Sequence, residues 1–164
     1  MNDILVIVPC GSAKIWDRDP YAGPTAAYHA YRGTPFKLNR AYAERFADRW
    51  VILSAKYGFI RPNFIIPEPY EVTFKKKSTN PIDLETLRQQ LDELKLNTFR
   101  VAVGLGDKEY RWATELAFED TGVITVFPFA GLQLGTSMHV IKHAIEIGDS
   151  GIPRPAPEPK PLIG

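Results

Sequence analysis

A single cysteine, Cys10, among 164 residues leaves no internal disulfide possible, so a packed core must carry the stability. No apolar run reaches membrane-spanning length, and Ile4 to Val8 is too short, and lacks the basic leader, for a secretory signal. A soluble chain in a reducing, cytoplasmic setting with no membrane partner is expected. Excess charge is missing too: 20 Lys and Arg against 19 Asp and Glu leave a net charge of +1. Any binding of nucleic acid or another anion must then come from a local patch. Gly104-Leu-Gly106 lacks the third glycine of a dinucleotide fingerprint, where Glu109 stands, and there is no Walker lysine motif. Both observations disfavour Rossmann cofactors and P-loop nucleotides. His139 and His143 have metal-binding spacing with Glu146 on the same stripe, but Val140 stands where zinc proteases place a glutamate, and Met138, Ile141, Ala144 and Ile145 carry the burial of that helix. No metal and no other cofactor is expected.

What is present, 45% hydrophobic and 24% charged residues, is enough for one well-buried core. A single α/β domain is expected over residues 1–150, followed by a proline-rich flexible tail over 151–164. Asp3 to Pro9, Val51 to Leu53, Phe99 to Val103 and Gly122 to Phe127 are short, nearly continuous apolar runs. That pattern predicts four strands covered on both faces. Between them, Thr25 is placed to cap a short helix ending at Gly33, and Thr34 and Pro35 to open a second with Leu38, Tyr42 and Phe46 on one stripe. Pro62, Pro67 and Pro69 forbid a helix from Ile60 to Phe74, predicting an extended excursion or irregular hairpin. Asn80 and Pro81 lead into a helix carrying Leu87, Leu91 and Leu94; another follows Asp107 with Tyr110, Ala113, Leu116 and Ala117 inward; the last runs from about Thr136 to Ile147. Strand-then-helix alternation of this kind implies a three-layer sandwich with a central, mainly parallel sheet of about four strands.

Right-handed crossovers put the four strand ends, Cys10 to Lys14, Ser54 to Tyr57, Gly104 to Asp107 and Pro128 to Gly135, on one edge of that sheet, where open α/β folds bind ligands. Gly11, Gly58, Gly104, Gly106, Gly131 and Gly135 all fall in these turns, where backbone N–H groups can approach an anion or a flat base, although α/β turns use glycine in any case. The doubled tripeptide Ser12-Ala-Lys14 and Ser54-Ala-Lys56 marks two strand ends for ligand contact, its lysines placed to hold a phosphate or donate to a base.

Pro9-Cys-Gly-Ser-Ala-Lys14, Tyr31-Arg-Gly-Thr-Pro-Phe36, Leu53-Ser-Ala-Lys-Tyr-Gly-Phe59 and Pro69-Tyr-Glu71 resemble an uncharacterised bacterial and phage domain family. That family is distantly similar to the YaaA peroxide-stress proteins and the middle domain of archaeosine synthase. The likeness spans roughly Ile4 to Gly135. It implies a fold like that of uracil-DNA glycosylases, and a partner that is DNA or a nucleotide bearing a modified nucleobase.

Cleaving an N-glycosidic bond needs stabilisation of a cationic sugar, a donor to the departing base and a carboxylate that positions water. Asp107 is the first candidate carboxylate, though it stands equally well as a helix N-cap; Glu71 and Asp17 follow, and Lys56 is the candidate donor. Cys10, Gly11, Ser12, Lys14, Ser54, Tyr57, Gly58, Gly104 and Gly131 are the candidate substrate contacts. Tyr57, Phe59 and Trp16 are placed to stack on a base or, more commonly, to pack in the core. Cys10 lacks a histidine partner in the pattern and reads better as a small buried hydrophobe than as a nucleophile. Lys75 to Lys77 are either phosphate contacts or a solvated run. A nucleobase-directed hydrolase is the leading expectation; a nucleic-acid or nucleotide-binding module without turnover, or a docking domain using its proline-rich tail, are the alternatives.

Overall fold

The apolar run Ile4–Pro9 forms β1, the central strand of the sheet, and is buried from Leu5 onward. The structure is a computed structural model that describes residues 3–152. In chain order, β1 is followed by a 3-10 turn at Ile15–Asp17, the two-residue strand β2 (Thr25–Ala26), and helices α1 (Ala27–Ala30) and α2 (Thr34–Phe46). Strands β3 (Arg49–Ser54), β4 (Gly58–Ile60) and β5 (Ile65–Ile66) come next, then helix α3 (Leu84–Glu93). The described chain closes with β6 (Val101–Gly104), α4 (Lys108–Ala117), β7 (Ile124–Val126) and α5 (Leu134–Ile147).

Five strands pair in the order β4-β3-β1-β6-β7, with β1 parallel to β3 and β6, and β6 parallel to β7. Side chains alternate between faces. Val6, Val8, Ile52, Val101 and Val103 point to one side, against Phe36, Tyr42 and Ala43 of α2 and Ile141 and Ala144 of α5. Leu5, Ile7, Val51, Leu53 and Ala102 point to the other, against Leu87 and Leu91 of α3 and Tyr110 and Ala117 of α4. Two helix layers therefore cover both faces, which is why these strands read as continuous apolar runs.

The expected four parallel strands are all present, and a fifth, antiparallel strand joins them. Gly58 is not a bare turn: it opens β4, which runs back along β3 with Ser54 opposite Gly58 and Ile52 opposite Ile60. Ser54 makes the reversal by accepting hydrogen bonds from the backbone N–H groups of Lys56 (3.2 Å) and Tyr57 (3.1 Å). Gly58 completes it with φ +76°, as the residue closing a three-residue hairpin loop often does. Gln90 of α3 locks the product, accepting from Phe59 N at 2.8 Å and donating to Tyr57 O at 2.9 Å.

Smaller departures have similar local causes. Thr25 enters β2, paired antiparallel with β5, so α1 is confined to four residues. Gly33 rather than Thr34 is the N-cap of α2. Asn80 adopts a left-handed φ of 57° after a 3-10 turn, and Asp83 caps α3 instead by accepting from Thr86 N at 2.7 Å. On α4 it is Thr114 that is buried while Leu116 faces outward, and α5 begins at Leu134. Ile152 packs into the core; the remainder of the expected tail, residues 153–164, lies outside the described residues. Among the described residues no helix is long and apolar enough to cross a membrane.

A Cβ at Gly58 would lie 2.1 Å from Gln90 Oε1. Gly58→Ala is expected to lose about 2–4 kcal/mol, from the left-handed backbone together with the displaced Gln90 hydrogen bonds. Urea unfolding checks this, and Gln90→Ala alone should reproduce only the hydrogen-bond part of the loss.

Candidate functional site

β1 passes to β3 through α2 on one face of the sheet, and β6 passes to β7 through α4 on the other, so the chain changes direction between β1 and β6. At such a switch point the two following loops diverge and leave a crevice at the carboxyl ends of the strands. A crevice of about 930 Å3 opens there. Pro9, Cys10, Gly104 and Leu105 lie at the strand ends; Phe36 and Asn39 of α2 form one wall and the first turn of α4 the other. Glu71, Val72, Thr73, Lys75, Lys76 and Met138 of α5 contribute further lining. Gly106 holds the two loops together: its φ is +91°, and a Cβ there would stand 2.3 Å from Pro9 Cγ.

Charge concentrates at the crevice even though the whole chain is nearly neutral. Lys14, Lys75, Lys76, Lys108 and Arg111 line it, against Glu71, Asp107 and Glu109. Lys75 Nζ meets Asp107 Oδ2 at 2.5 Å, and the hydrogen bond that it donates to this carboxylate holds the lysine above its ordinary range. Asp107 occupies the N-cap position of α4 without capping it through its side chain, since the carboxylate is turned to Lys75. The other two helices whose first turns line the crevice, α2 and α5, also begin without a side-chain cap. Unspent N–H groups and the positive ends of three helices favour an anion here. Asn39 adds a neutral group: it is only 6% exposed, lines the crevice, and its side-chain amide makes no hydrogen bond among the described residues.

Beside the crevice lies a buried set of hydroxyls. Ser54 Oγ and the Tyr70 hydroxyl are 2.9 Å apart, and the Tyr70 hydroxyl is also hydrogen-bonded to that of Tyr31. Cys10 Sγ donates to Tyr110 Oη at 3.7 Å. Burial pushes the phenols of Tyr31, Tyr70 and Tyr110 well above the usual tyrosine range, with the neighbouring Cys10 adding to each shift. Burial likewise pushes the Cys10 thiol up, against the opposing hydrogen bond of Tyr110. These groups stay protonated at neutral pH and serve as ties rather than as nucleophiles or bases.

Of the residues singled out from the sequence, Cys10, Gly11, Ser12, Lys14, Glu71, Gly104 and Asp107 come together around the crevice. Lys56, Ser54, Tyr57, Gly58 and Gly131 do not line it. The tight reversal into β4 accounts for the first four: Ser54 is fully buried, Gly58 is buried, and the Lys56 ammonium is turned to the rings of Tyr57 (5.3 Å) and Tyr70 (5.7 Å). Lys14 reaches the same Tyr70 ring, 4.7 Å from its centroid, so the doubled lysines converge on one aromatic without sharing the crevice. Gly131 sits on an exposed turn, with nothing within 4 Å of where a Cβ would stand. Trp16 and Phe59 are core residues, and Asp17 accepts from Lys14 N at 2.8 Å. His139 and His143 are exposed, and no group of three or more potential ligands for a metal occurs among the described residues. Sequence reasoning overlooked Asn39, Tyr70, Tyr110 and Arg111. Asn39 carried a usable signal, being a polar residue three from Phe36 and three from Tyr42 on the buried stripe of α2.

The model of a family of unknown function, DUF6884, matches residues 5–143. The chain belongs to this family. Among its relatives is a Bacillus subtilis (strain 168) protein named "Uncharacterized protein YfjM", 42% identical over 107 residues, which are 65% of this chain and 71% of that protein. The matched part of the DUF6884 domain includes every strand end that borders the crevice. A solved structure, "Crystal structure of AF0587, a protein of unknown function", aligns over 89% of this chain at 15% identity with a TM-score of 0.44; this chain spans 45% of that one.

Because burial raises the Cys10 pKa, its thiolate should be scarce where an ordinary thiol, with pKa about 8.5, is already half ionised. Alkylation by iodoacetamide is expected to be slower than for free cysteine and still accelerating at about pH 9; a rate that levels off below about pH 8 would show an activated thiol instead.

Proposed function

We propose that this domain is a hydrolase of N-glycosidic bonds that acts on a phosphate-bearing substrate with a modified nucleobase, either a nucleotide or DNA. The observation that carries the reading is the meeting of Asp107 and Glu71 with a ring of cations and three uncapped helix ends in one crevice at the switch point. Lys14, Lys76 and the helix ends hold the phosphate. The Asn39 amide, with donor and acceptor on one planar group, meets the polar edge of the base. Asp107, fixed by Lys75, positions water at the anomeric carbon and accepts its proton. As the carbon–oxygen bond forms, the carbon–nitrogen bond breaks and its electron pair leaves with the base, which takes a proton from the Lys14 ammonium. Glu71, which has no ion-pair partner among the described residues, adds negative charge beside the developing cationic sugar. Lys56 has no part in this scheme. The likeness of the Ser54-Ala-Lys-Tyr-Gly58 stretch to proteins related to archaeosine synthase and to uracil-DNA-glycosylase-like folds supports the same substrate class.

Incubation with oligonucleotides carrying modified bases, and with free nucleoside 5′-monophosphates, should release base, read by chromatography and by alkali-labile sites. Asp107→Asn should reduce single-turnover release about 100-fold with an unchanged melting temperature. Lys14→Ala should weaken substrate binding several-fold and, by removing the proton donor, slow release about 100-fold as well, whereas Lys56→Ala should alter neither binding nor release. Binding with no release from any substrate would make the domain a recognition module.

A further inference from the structure

A second hollow, of about 640 Å3, lies at the opposite end of β3 and is lined by Tyr28, Arg49, Trp50, Arg61, Pro62 and Asn63. Its origin is the β3–β4 hairpin. Arg49 and Trp50 open β3, and because β4 runs antiparallel with Ile60 opposite Ile52, Arg61 and Pro62 emerge beside that same end. Tyr28 is fixed against them through a hydrogen bond from its backbone N–H to Pro62 O at 2.9 Å. The crevice borders the carboxyl end of the parallel strands and this hollow the amino end, a separation of roughly 17 Å along a six-residue strand.

Two features of the hollow are unspent. Neither guanidinium has a carboxylate partner among the described residues, and the adjacent acid, Asp48, accepts instead from Ile4 N at 2.8 Å. Arg49 is anchored by one bond, Nη1 to Leu94 O at 2.9 Å, and both its burial and the charge of Arg61 disfavour its protonated form. An anion between them would relieve that repulsion. Trp50 is half-buried, packed in part against the core on the α2 and α5 side of the sheet, and its indole has no hydrogen bond, ring partner or cation over it. Trp16, in contrast, donates to Gly23 O, and Trp112 lies under Lys108. A pair of forked cations beside the exposed part of an indole, in an open trough rather than an enclosed pocket, matches a chain of phosphates with bases able to stack.

We propose that this trough is a binding site for single-stranded nucleic acid, separate from the crevice, with Arg49 and Arg61 on phosphates and Trp50 stacked on a base. The site stands whether or not the crevice cleaves a glycosidic bond, and binding alone tests it. Fluorescein-labelled dT20 is titrated with the full chain at several NaCl concentrations and followed by anisotropy. Arg61→Ala, an exposed substitution, should keep the melting temperature, weaken dT20 binding at least about 5-fold and lower the slope of log K against log salt by about 0.7, the share of one phosphate contact on a single strand. Oligonucleotide quenching of tryptophan fluorescence should be lost in Trp50→Phe. Unchanged affinity and slope in Arg61→Ala would overturn the proposal. So would quenching that survives Trp50→Phe, or equal competition by inorganic tripolyphosphate, which would mark a bare anion site.

Discussion

The Tyr70 hydroxyl joins three pieces of chain that share no regular secondary structure. It bonds to Ser54 at the end of β3 and to Tyr31 just after α1, while Tyr70 itself belongs to the proline-rich segment that crosses toward the crevice. All three oxygens are buried, and the Tyr70 hydroxyl is the one that both others bond, so losing it would strand the Tyr31 hydroxyl at a cost of about 1–3 kcal/mol. The arrangement also sets the charges. Ser54 shapes the turn that carries Lys56, and the Tyr70 ring lies beneath both Lys14 and Lys56. Glu71 follows directly in the chain, so a structural tie fixes where the first crevice carboxylate can stand.

The parallel strands were legible because burial on both faces leaves a mark that needs no context, an unbroken run of aliphatic residues between turns. The edge location of the site followed from handedness alone. What stayed hidden depended on contacts distant in sequence. Ser54-Ala-Lys-Tyr-Gly58 looks the same whether it presents its side chains to a ligand or folds back into a hairpin, and the deciding partner, Gln90, lies more than thirty residues on. Asp107 could be placed at the start of a helix, but not its choice between capping that helix and pairing with Lys75, which arrives from the irregular segment. Asn39 was passed over because a lone polar residue on an apolar stripe becomes informative only once the neighbouring walls show nothing for it to bond.

Near-neutrality overall conceals local excesses of positive charge. Cations outnumber acids at the carboxyl edge of the sheet and two arginines stand at the amino end of β3, while further acidic residues such as Glu85, Asp92 and Glu93 of α3 and Glu115 of α4 lie on the exposed outer layer. Such separation lets local fields act on an approaching anion over a Debye length without giving the protein a general affinity for polyanions.

The two edge strands, β4 and β7, are each three residues long, and each is followed two residues later by a proline, Pro62 and Pro128. Proline has no N–H to offer a neighbouring strand, and Arg61 adds a charge at the β4 end. An incoming chain would find too few free backbone groups on either side to extend the sheet. The architecture thus carries its own protection against edge-to-edge aggregation, in a protein whose aliphatic strands would otherwise invite it.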